Sequence, residues 1–538
     1  MSNIVRGTML LTGATFLSKF LGMIYVIPFY GLVGETGGAL FSYAYTPYNI
    51  LISISTIGVP LAVSKFVSKY NSLGDYETGM RMFRAGITLM SVTGFLAFIT
   101  LFFGAEILAQ QVIPDDDFKN SVADVTAVIR MVSLALLIIP AMSIVRGFFQ
   151  GYESMGPTAV SQVIEQIVRI VFLLGSAFVI LKALNGTITT AVSFATFSAF
   201  VGALASCVVL WIYWRKRKSN IEKQVQQQEY TYDIPTKDLF LELFRYAGPF
   251  VLVGIATPLY QLVDMLTFNR AMLAIGESEI SDIAYAVINF YGHKLVIIPV
   301  TVATGLSLAI IPALTKTFTQ QQHSILNQQI NQSLQIVLVL VVPAVVGLSI
   351  LSDVAYGSLF GLDNIDITGP LLGWYAPVAL MFALFTVSAA ILQGINEQRF
   401  AVVSLTAGFL VKVLLNIFLI HTFGAKGAIF GTGLAVGIAV ILNLLRIKSA
   451  IDFSFKQSFK RFLLIGIFTL IMSITIWITR GSLGNFLDYH ESRLAAVILL
   501  ALGVGIGGGV YLWLGYKSTL LERVLGERVR VLDRIFKR

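Results

Sequence analysis

The stretch NFYGHKLVIIPVTVATGLSLAIIPALTKTF, residues 289–318, has the length and apolar character of a membrane helix, yet it places His293 and Lys294 inside the apolar run. A lysine at the centre of a membrane helix costs roughly 2.5 to 3.5 kcal/mol on insertion scales, so it normally faces protein, water or a charged ligand. The stretch therefore predicts a membrane helix whose cation serves a function.

The composition of the whole chain agrees with this class of protein. Of its 538 residues, 56% are hydrophobic and 12% are charged, whereas soluble domains carry roughly 25% charged residues. Cys207 is the only cysteine, which excludes an internal disulfide, and the four histidines are scattered. The apolar start has no small-residue cleavage site and is expected to be a retained first helix. The sequence predicts an integral membrane protein without a cofactor.

Apolar runs of about 20 residues predict fourteen transmembrane helices in an all-α polytopic membrane protein. Their centres lie near Leu21, Leu51, Gly94, Leu134, Phe172, Ala203, Ile255, Pro299, Leu340, Leu380, Leu410, Val436, Leu470 and Gly503.

The distribution of basic residues predicts the orientation of these spans. With the N-terminus inside, the cytoplasmic connections and termini hold 27 of the 38 lysines and arginines, the outer connections hold 6, and 5 lie within spans. Both termini are therefore expected in the cytoplasm, in the cell membrane. The formal charge of +9 is assigned to loops facing anionic lipid, and nothing indicates nucleic acid.

Two echoes along the chain predict duplicated halves. FFQGYESMGPTAVSQVIEQIVRIVF (148–172) resembles ILQGINEQRFAVVSLTAGFLVKVLL (391–415), and GVPLAVSKFVSK (58–69) resembles GLSLAIIPALTK (305–316). Since each half has six spans, both enter the membrane from the same side, which predicts two six-helix lobes related by a pseudo-twofold axis along the membrane normal.

The predicted domains follow from this repeat. They are an N-terminal lobe (1–214, helices 1–6), a cytoplasmic linker (215–238), a C-terminal lobe (239–450, helices 7–12), helices 13–14 (451–516) and a basic tail (517–538). In the tail, Leu521, Leu525, Leu532 and Ile535 lie at helical spacing beside arginines. This pattern predicts an amphipathic helix on the inner membrane surface.

The charged residues within spans predict the class of substrate. The basic ones are Lys19, Arg130, Arg169, Lys294 and Lys412, and the comparably deep acids are Glu165 and Asp264. A water-filled cavity with excess positive charge favours an anion, and phosphate suits lysine and arginine in particular. An exporter of cationic drugs would need the reverse.

Each of these residues also has an alternative interpretation. Glu165 and Arg169 are four residues apart on one helix and could neutralise each other. Arg130 and Lys294 lie nearer the outer face and could extend to water. Lys19 and Lys412 have no local partner, so we expect them to face the cavity or to pair with another helix.

Several motifs together resemble one known family. They are VRGTMLLTGATFLSKFLGMIYVIPFY, YAYTPYNI, GVPLAVSKFVSKYN, RGFFQGYESMGPTAVSQVIEQIVRI and YGHKLVIIPVTVATGLSLAIIPALTKTF. The chain resembles the polysaccharide-transport branch of the multidrug/oligosaccharidyl-lipid/polysaccharide exporter (MOP) superfamily. Within that branch it is similar to the Gram-positive lipid II flippases of the MurJ (YtgP) type, with SpoVB-like proteins as near relatives.

This resemblance implies alternating access through a cationic cavity that accepts the diphosphate of undecaprenyl-linked peptidoglycan precursor. It also implies that spans 13 and 14 form a groove for the lipid tail. Lys19 in LSKFLG and Lys294 in YGHKLVIIP match arginines of Gram-negative members. Another arginine of those members falls at Tyr25, and a second-helix arginine and acid fall near residues 53–58, where this chain has no charge. The resemblance therefore implies a cavity that distributes its charge differently, through Arg169 and Lys412.

A Na⁺ site known among some relatives is a further implication of the resemblance. Asp264, Asn416 and Thr432 are the oxygen-bearing candidates, and oxygen ligands suit a hard cation. Alternatively, Asp264 pairs with a core lysine and Asn416 forms a hydrogen bond between helices. Membrane potential is the other expected driving force.

The sequence thus favours a monomeric flippase for lipid II. The expected substrate-binding residues are Lys19, Arg130, Glu165, Arg169, Lys294 and Lys412. The alternatives are a flippase for a teichoic, capsular or spore-cortex lipid intermediate, or a drug exporter related to the MATE transporters. A membrane enzyme would need an acidic cluster in a sizeable loop, and the longest hydrophilic segment is the lysine-rich linker.

Overall fold

A computed structural model describes residues 3–56, 58–114, 118–228, 255–484 and 487–525, with isolated positions between 229 and 254. Within these residues the chain is helical, and it divides into two compact units, Met1–Arg270 and Ala271–Arg538. The predicted all-α class is confirmed.

Unit 1 contains eight long helices among its described residues and most of a ninth. They are α1 (Asn3–Ile24), α2 (Val26–Thr56), α3 (Val59–Ser72), α4 (Tyr76–Val112), α5 (Val122–Ser133), α6 (Ile139–Gly151), α7 (Met155–Phe178), α8 (Ile188–Gln226) and α9 (Ala256–Ala274). A 3-10 turn (Leu134–Leu137) joins α5 to α6, and a short π-helical segment (Val179–Ala183) extends α7.

Local sequence explains where several of these helices begin or break. Asp75 caps α4 by accepting a hydrogen bond from the Thr78 amide at 2.9 Å, and Ser121 forms a capping box with Asp124 at the start of α5. Gly34 has a φ of 62° and divides α2 into two helical arms, because glycine adopts this backbone conformation without steric cost.

Two glycines allow close packing around the polar part of unit 1. A Cβ at Gly147 of α6 would lie 2.5 Å from the Pro60 carbonyl oxygen of α3. A Cβ at Gly202 of α8 would lie 2.8 Å from the Glu165 carbonyl oxygen and 3.0 Å from Cβ of Arg169. Since real Cβ atoms rarely approach so closely, these glycines bring α3 against α6 and α8 against α7.

Unit 2 continues with eleven helices among its described residues. They are α10 (Ser278–Asn289), α11 (Tyr291–Thr319), α12 (His323–Ile350), α13 (Ser352–Phe360), α14 (Ile365–Tyr375), α15 (Val378–Gly394), α16 (Gln398–Phe423), α17 (Lys426–Ile451), α18 (Lys456–Gly484), α19 (Arg493–Lys517) and α20 (Leu520–Leu525).

A buried polar network links three of these helices. Asn443 of α17 donates a hydrogen bond to Ser388 of α15 at 3.1 Å and accepts one from Ser404 of α16 at 2.6 Å. In lipid no hydrophobic force drives helices together, so hydrogen bonds between small polar side chains such as these help to connect them.

Twelve segments of the described chain are long and apolar enough to cross a membrane. They correspond to predicted spans 2 to 6 and 8 to 14. Span 1 is divided between α1, which has a shorter apolar run at Leu10–Ile24, and the start of α2. The first half of span 7 lies outside the described residues.

The linker and the tail differ in part from the sequence prediction. Helix α8 runs on to Gln226, so the start of the predicted linker is helical, while residues 229–234 lie outside the described part. Leu521, predicted to face the inner membrane surface, is 1% exposed and packs with the α12, α18 and α19 side chains. Leu532 and Ile535 lie outside the described residues.

Candidate functional site

A polar pocket of about 370 Å³ lies inside unit 1, between α2, α6 and α7. We call it the unit 1 pocket. Its charged lining residues are Arg146, Glu165 and Arg169, and its uncharged polar lining includes Tyr48, Gln150, Ser143, Thr158 and Gln162. The predicted residues Glu165 and Arg169 therefore share one pocket, together with an arginine that sequence reasoning had assigned to a cytoplasmic loop.

Arg146 is the residue that the sequence analysis missed. It lies in α6, near the end of the candidate span Val122–Gly151, and its Nη2 is 2.6 Å from Oε2 of Glu165. The two side chains are 17% and 19% exposed. Arg146 precedes Gly147 and follows an apolar run, so extending span 4 by about one helical turn would have placed it in the membrane.

The pairing of Glu165 with Arg169, one of the two alternatives raised by their spacing, is not the arrangement in the structure. Arg169 donates a hydrogen bond to the Tyr45 hydroxyl, and its guanidinium carbon lies 5.3 Å from the centre of the Tyr45 ring. Tyr45 in turn stacks on Phe41, with ring centres 4.3 Å apart. Aromatic packing thus holds Arg169 in place.

The charged lining residues give the unit 1 pocket a net positive charge. Two guanidiniums and one carboxylate line it, so the pocket has an excess of one positive charge. Phosphate and carboxylate ligands suit guanidinium groups because the N–H donors lie in a planar fork. The pocket is therefore suited to an anion.

The other cations predicted in the N-terminal half lie outside this pocket. Lys19 is exposed on α1. Arg130 lies 3.9 Å from Glu106, with side chains 42% and 61% exposed, and its guanidinium covers the Phe102 ring. Such an exposed pair stabilises little, and it matches the alternative in which Arg130 extends to water.

In unit 2, Lys294 lies in the first turn of α11 and is half-buried. Its neighbour His293 forms a 2.6 Å hydrogen bond through Nδ1 with the Tyr375 hydroxyl. The two residues of the opening stretch therefore have different surroundings: His293 joins α11 to α14, while Lys294 occupies the same helix face as Ile298, four residues on.

Lys412 is fully buried in α16, with 0% of its surface exposed. Its Nζ lies 2.5 Å from Oγ1 of Thr432 in α17. Of the two alternatives for this residue, contact with another helix is the one seen here. A role in substrate binding stays a prediction.

The same contact bears on the predicted Na⁺ site. The Thr432 hydroxyl donates to the Ala428 carbonyl at 3.0 Å and accepts from the Lys412 ammonium. A Na⁺ ion beside Thr432 would therefore contact a like charge. Asn416 is buried on α16 and Asp264 on α9. Binding of Na⁺ by these residues stays a prediction, and we derive no step of transport through it.

An apolar groove of about 490 Å³ lies in unit 2, lined by α11, α12, α13, α18 and α19. Leu295 and Pro299 contribute from α11, and Val504 and Gly508 from α19. The Tyr511 hydroxyl donates to the Val339 carbonyl at 2.8 Å, so the polar end of this lining tyrosine is satisfied within the protein. The groove is suited to a hydrocarbon chain.

Comparison with known proteins identifies the family. Residues 4–318 match the model of the family described as polysaccharide biosynthesis protein. The chain is 47% identical to the lipid II flippase MurJ of Bacillus subtilis (strain 168) over 531 residues, which cover 98% of each chain.

Solved structures show the same fold. One is a lipid II flippase MurJ in an inward closed conformation, with a TM-score of 0.69 and 18% identity over 96% of this chain and 99% of that one. Another is an inward-facing multidrug resistance MATE family transporter of the MOP superfamily, with a TM-score of 0.64 and 15% identity over 81% and 94%. This chain belongs to the polysaccharide biosynthesis protein family and has the fold of the MOP superfamily transporters.

Proposed function

We propose that this protein is a flippase that moves lipid II, the undecaprenyl-diphosphate-linked peptidoglycan precursor, from the inner to the outer leaflet of the cytoplasmic membrane. The observation that carries the proposal is 47% identity to a lipid II flippase over 98% of both chains. Identity of this extent over nearly the whole of both chains favours a shared substrate. The protein is a transporter and not an enzyme.

The charge of the unit 1 pocket supports an anionic head group. The Arg169 guanidinium donates a hydrogen bond to the Tyr45 hydroxyl, and the pocket has one positive charge in excess. A diphosphate offers several acceptor oxygens to such a group. An exporter of cationic drugs would be opposed by the same charge.

The groove of unit 2 supports a lipid tail attached to that head group. Its lining is almost wholly apolar, and Lys294 lies one helical turn before Ile298, which lines it. The first isoprene units of the lipid are proposed to lie in this groove, with Lys294 as a second cation for the phosphates. Since bilayer and groove are about equally apolar, the groove positions the tail and adds little affinity.

The transport cycle is proposed to be alternating access between two six-helix lobes, with both termini in the cytoplasm and the protein acting as a monomer. The asymmetry of 27 basic residues on one side against 6 on the other supports the orientation. Membrane potential is the driving force we favour, because Lys412 already supplies a cation at Thr432.

Growth rescue tests the proposal. The host lipid II flippase is depleted, and this chain is expressed beside an Arg169→Glu/Lys294→Glu variant as the matched control. We expect growth to return with the natural chain and not with the variant, because two acids would repel the diphosphate. Failure of the natural chain to restore growth, with the protein present in the membrane, would favour another lipid-linked cargo. Rescue by the double variant would remove the charge argument.

A further inference from the structure

Two guanidiniums of the unit 1 pocket, those of Arg146 and Arg169, are candidate partners for the Glu165 carboxylate. Glu165 and Arg169 lie four residues apart on α7, with the acid on the N-terminal side, which is the favourable order for an ion pair on one helix. The structure nevertheless pairs Glu165 with Arg146 of α6. Something in the fold must make the more distant partner the better one.

Arg146 of α6 is held in place by side chains of α7 and α8. The Nε of Arg146 donates to the Ser161 hydroxyl at 3.0 Å, and its Nη2 donates both to Glu165 at 2.6 Å and to the Ser206 hydroxyl at 2.8 Å. Ser161 and Ser206 are each fully buried, on α7 and α8. The guanidinium is therefore held in one orientation, with its Nη2 on the carboxylate and its Nε on Ser161.

The consequence appears at Arg169. Its guanidinium bonds to the Tyr45 hydroxyl, and no carboxylate of the described residues lies within 4 Å of it. Both arginines and Glu165 line the same pocket. The position of one carboxylate thus decides whether Arg169 is neutralised or remains available to a ligand.

We propose that Arg146 is a positioning residue: it holds the Glu165 carboxylate away from Arg169, and so keeps the Arg169 guanidinium out of a direct ion pair and open to a phosphate-type anion in the unit 1 pocket. The inference rests on the proposed function in one respect, since it takes the ligand to be the phosphate part of the transported lipid. Arg146 acts through Glu165 and is not itself required to touch the anion.

Removing Arg146 should therefore have an effect that removing Glu165 cancels. In Arg146→Gln, the pocket loses its excess charge because one guanidinium is removed, and Glu165 is free to turn to Arg169. In Arg146→Gln/Glu165→Gln, no carboxylate remains and the excess charge returns. Glu165→Gln alone leaves both guanidiniums unpaired by a carboxylate, so anion binding should be kept or strengthened.

The test measures binding of inorganic diphosphate to the purified full chain in nanodiscs by calorimetry at low ionic strength. Arg169→Gln serves as the reference, because binding that survives in it comes from other basic surfaces and is subtracted. We expect Arg146→Gln to bind at least about tenfold more weakly than the natural chain, because charge-assisted hydrogen bonds to Arg169 are lost. The double variant should return to within about threefold.

Two results would overturn the inference: unchanged binding in Arg146→Gln, or a double variant as weak as Arg146→Gln, which would mean that Arg146 contacts the anion directly. A merely structural role would lower the melting temperature of Arg146→Gln and leave the affinity of its folded fraction intact, so both are measured. If Arg146→Gln does not fold, Glu165→Gln decides, because tenfold weaker binding in it contradicts the mechanism.

The same variants in the growth assay separate this inference from the proposed function. If the natural chain does not rescue growth but the binding pattern holds, the proposed cargo is wrong and the positioning role stands. If growth is rescued but the double variant does not recover binding, the positioning role alone is wrong.

Discussion

Three consecutive glycines of α19 point in different directions, and this allows a sharp test of the groove. A Cβ at Gly507 would lie 2.4 Å from Ile476 of α18, whereas a Cβ at Gly508 or Gly509 would meet nothing within 4 Å. Gly508 lines the apolar groove and Gly509 does not. A side chain can therefore start at either position without a clash at its Cβ, but only Gly508 lines the groove.

We expect Gly508→Trp to slow transport by about tenfold, and Gly509→Trp to change it little. The groove volume of 490 Å³ corresponds to about sixteen water-sized volumes. An indole side chain has about ten non-hydrogen atoms and would take roughly a third of this space. The tail would then lose its position relative to the head group, and a tenfold change corresponds to about 1.4 kcal/mol.

The assay is flipping of lipid II by purified protein reconstituted in vesicles, with growth rescue at limiting expression beside it. Both variants replace a helical glycine, so any gain in helix stability is shared and the ratio of their rates isolates the groove. Binding of inorganic diphosphate should be the same in both. Equal flipping rates in the two tryptophan variants would refute the view that the groove positions the tail.

Four further predictions follow from single residues. Lys294→Ala should leave the protein in the membrane but abolish rescue, and Lys294→Arg should keep much of it, because guanidinium also binds phosphate oxygens; loss of the alanine variant from the membrane would point to a structural role instead. Gly202→Ala should destabilise the folded state by about 1–3 kcal/mol, because its methyl group would overlap the α7 backbone and side chains, and the thermal midpoint of the purified protein reports this. Replacing Na⁺ by K⁺ should leave the flipping rate unchanged while Lys412 is present, and a strict Na⁺ requirement would contradict the fit of its ammonium at Thr432. With the native cysteine replaced by serine, a cysteine at the exposed position Asp363 should react with an impermeant reagent from outside and one at the exposed position Asn220 should not, and labelling at Asn220 would reverse the predicted orientation.

The sequence alone determined the membrane class, the family and most of the spans. These properties depend on summed or local features: apolar runs set the length of a helix that can cross the bilayer, and linear motifs mark the family. The same reasoning placed cations at Arg169 and Lys294, since a charge inside an apolar run can be seen without knowing its neighbours. Span 1 was predicted as one helix, whereas the structure divides it between two helices near Tyr25.

Only the tertiary structure decided which charges meet. Spacing along α7 made Arg169 the expected partner of Glu165. Arg146, nineteen residues away from Glu165, is the partner instead. The reason is that α6 packs against α7, and serines of α7 and α8 orient the Arg146 guanidinium. Likewise, Leu521 was expected against lipid and packs inside the protein, since an apolar stripe does not say which apolar surface will cover it. Partner choice depends on distances through space between helices, and a linear pattern carries no information about those distances.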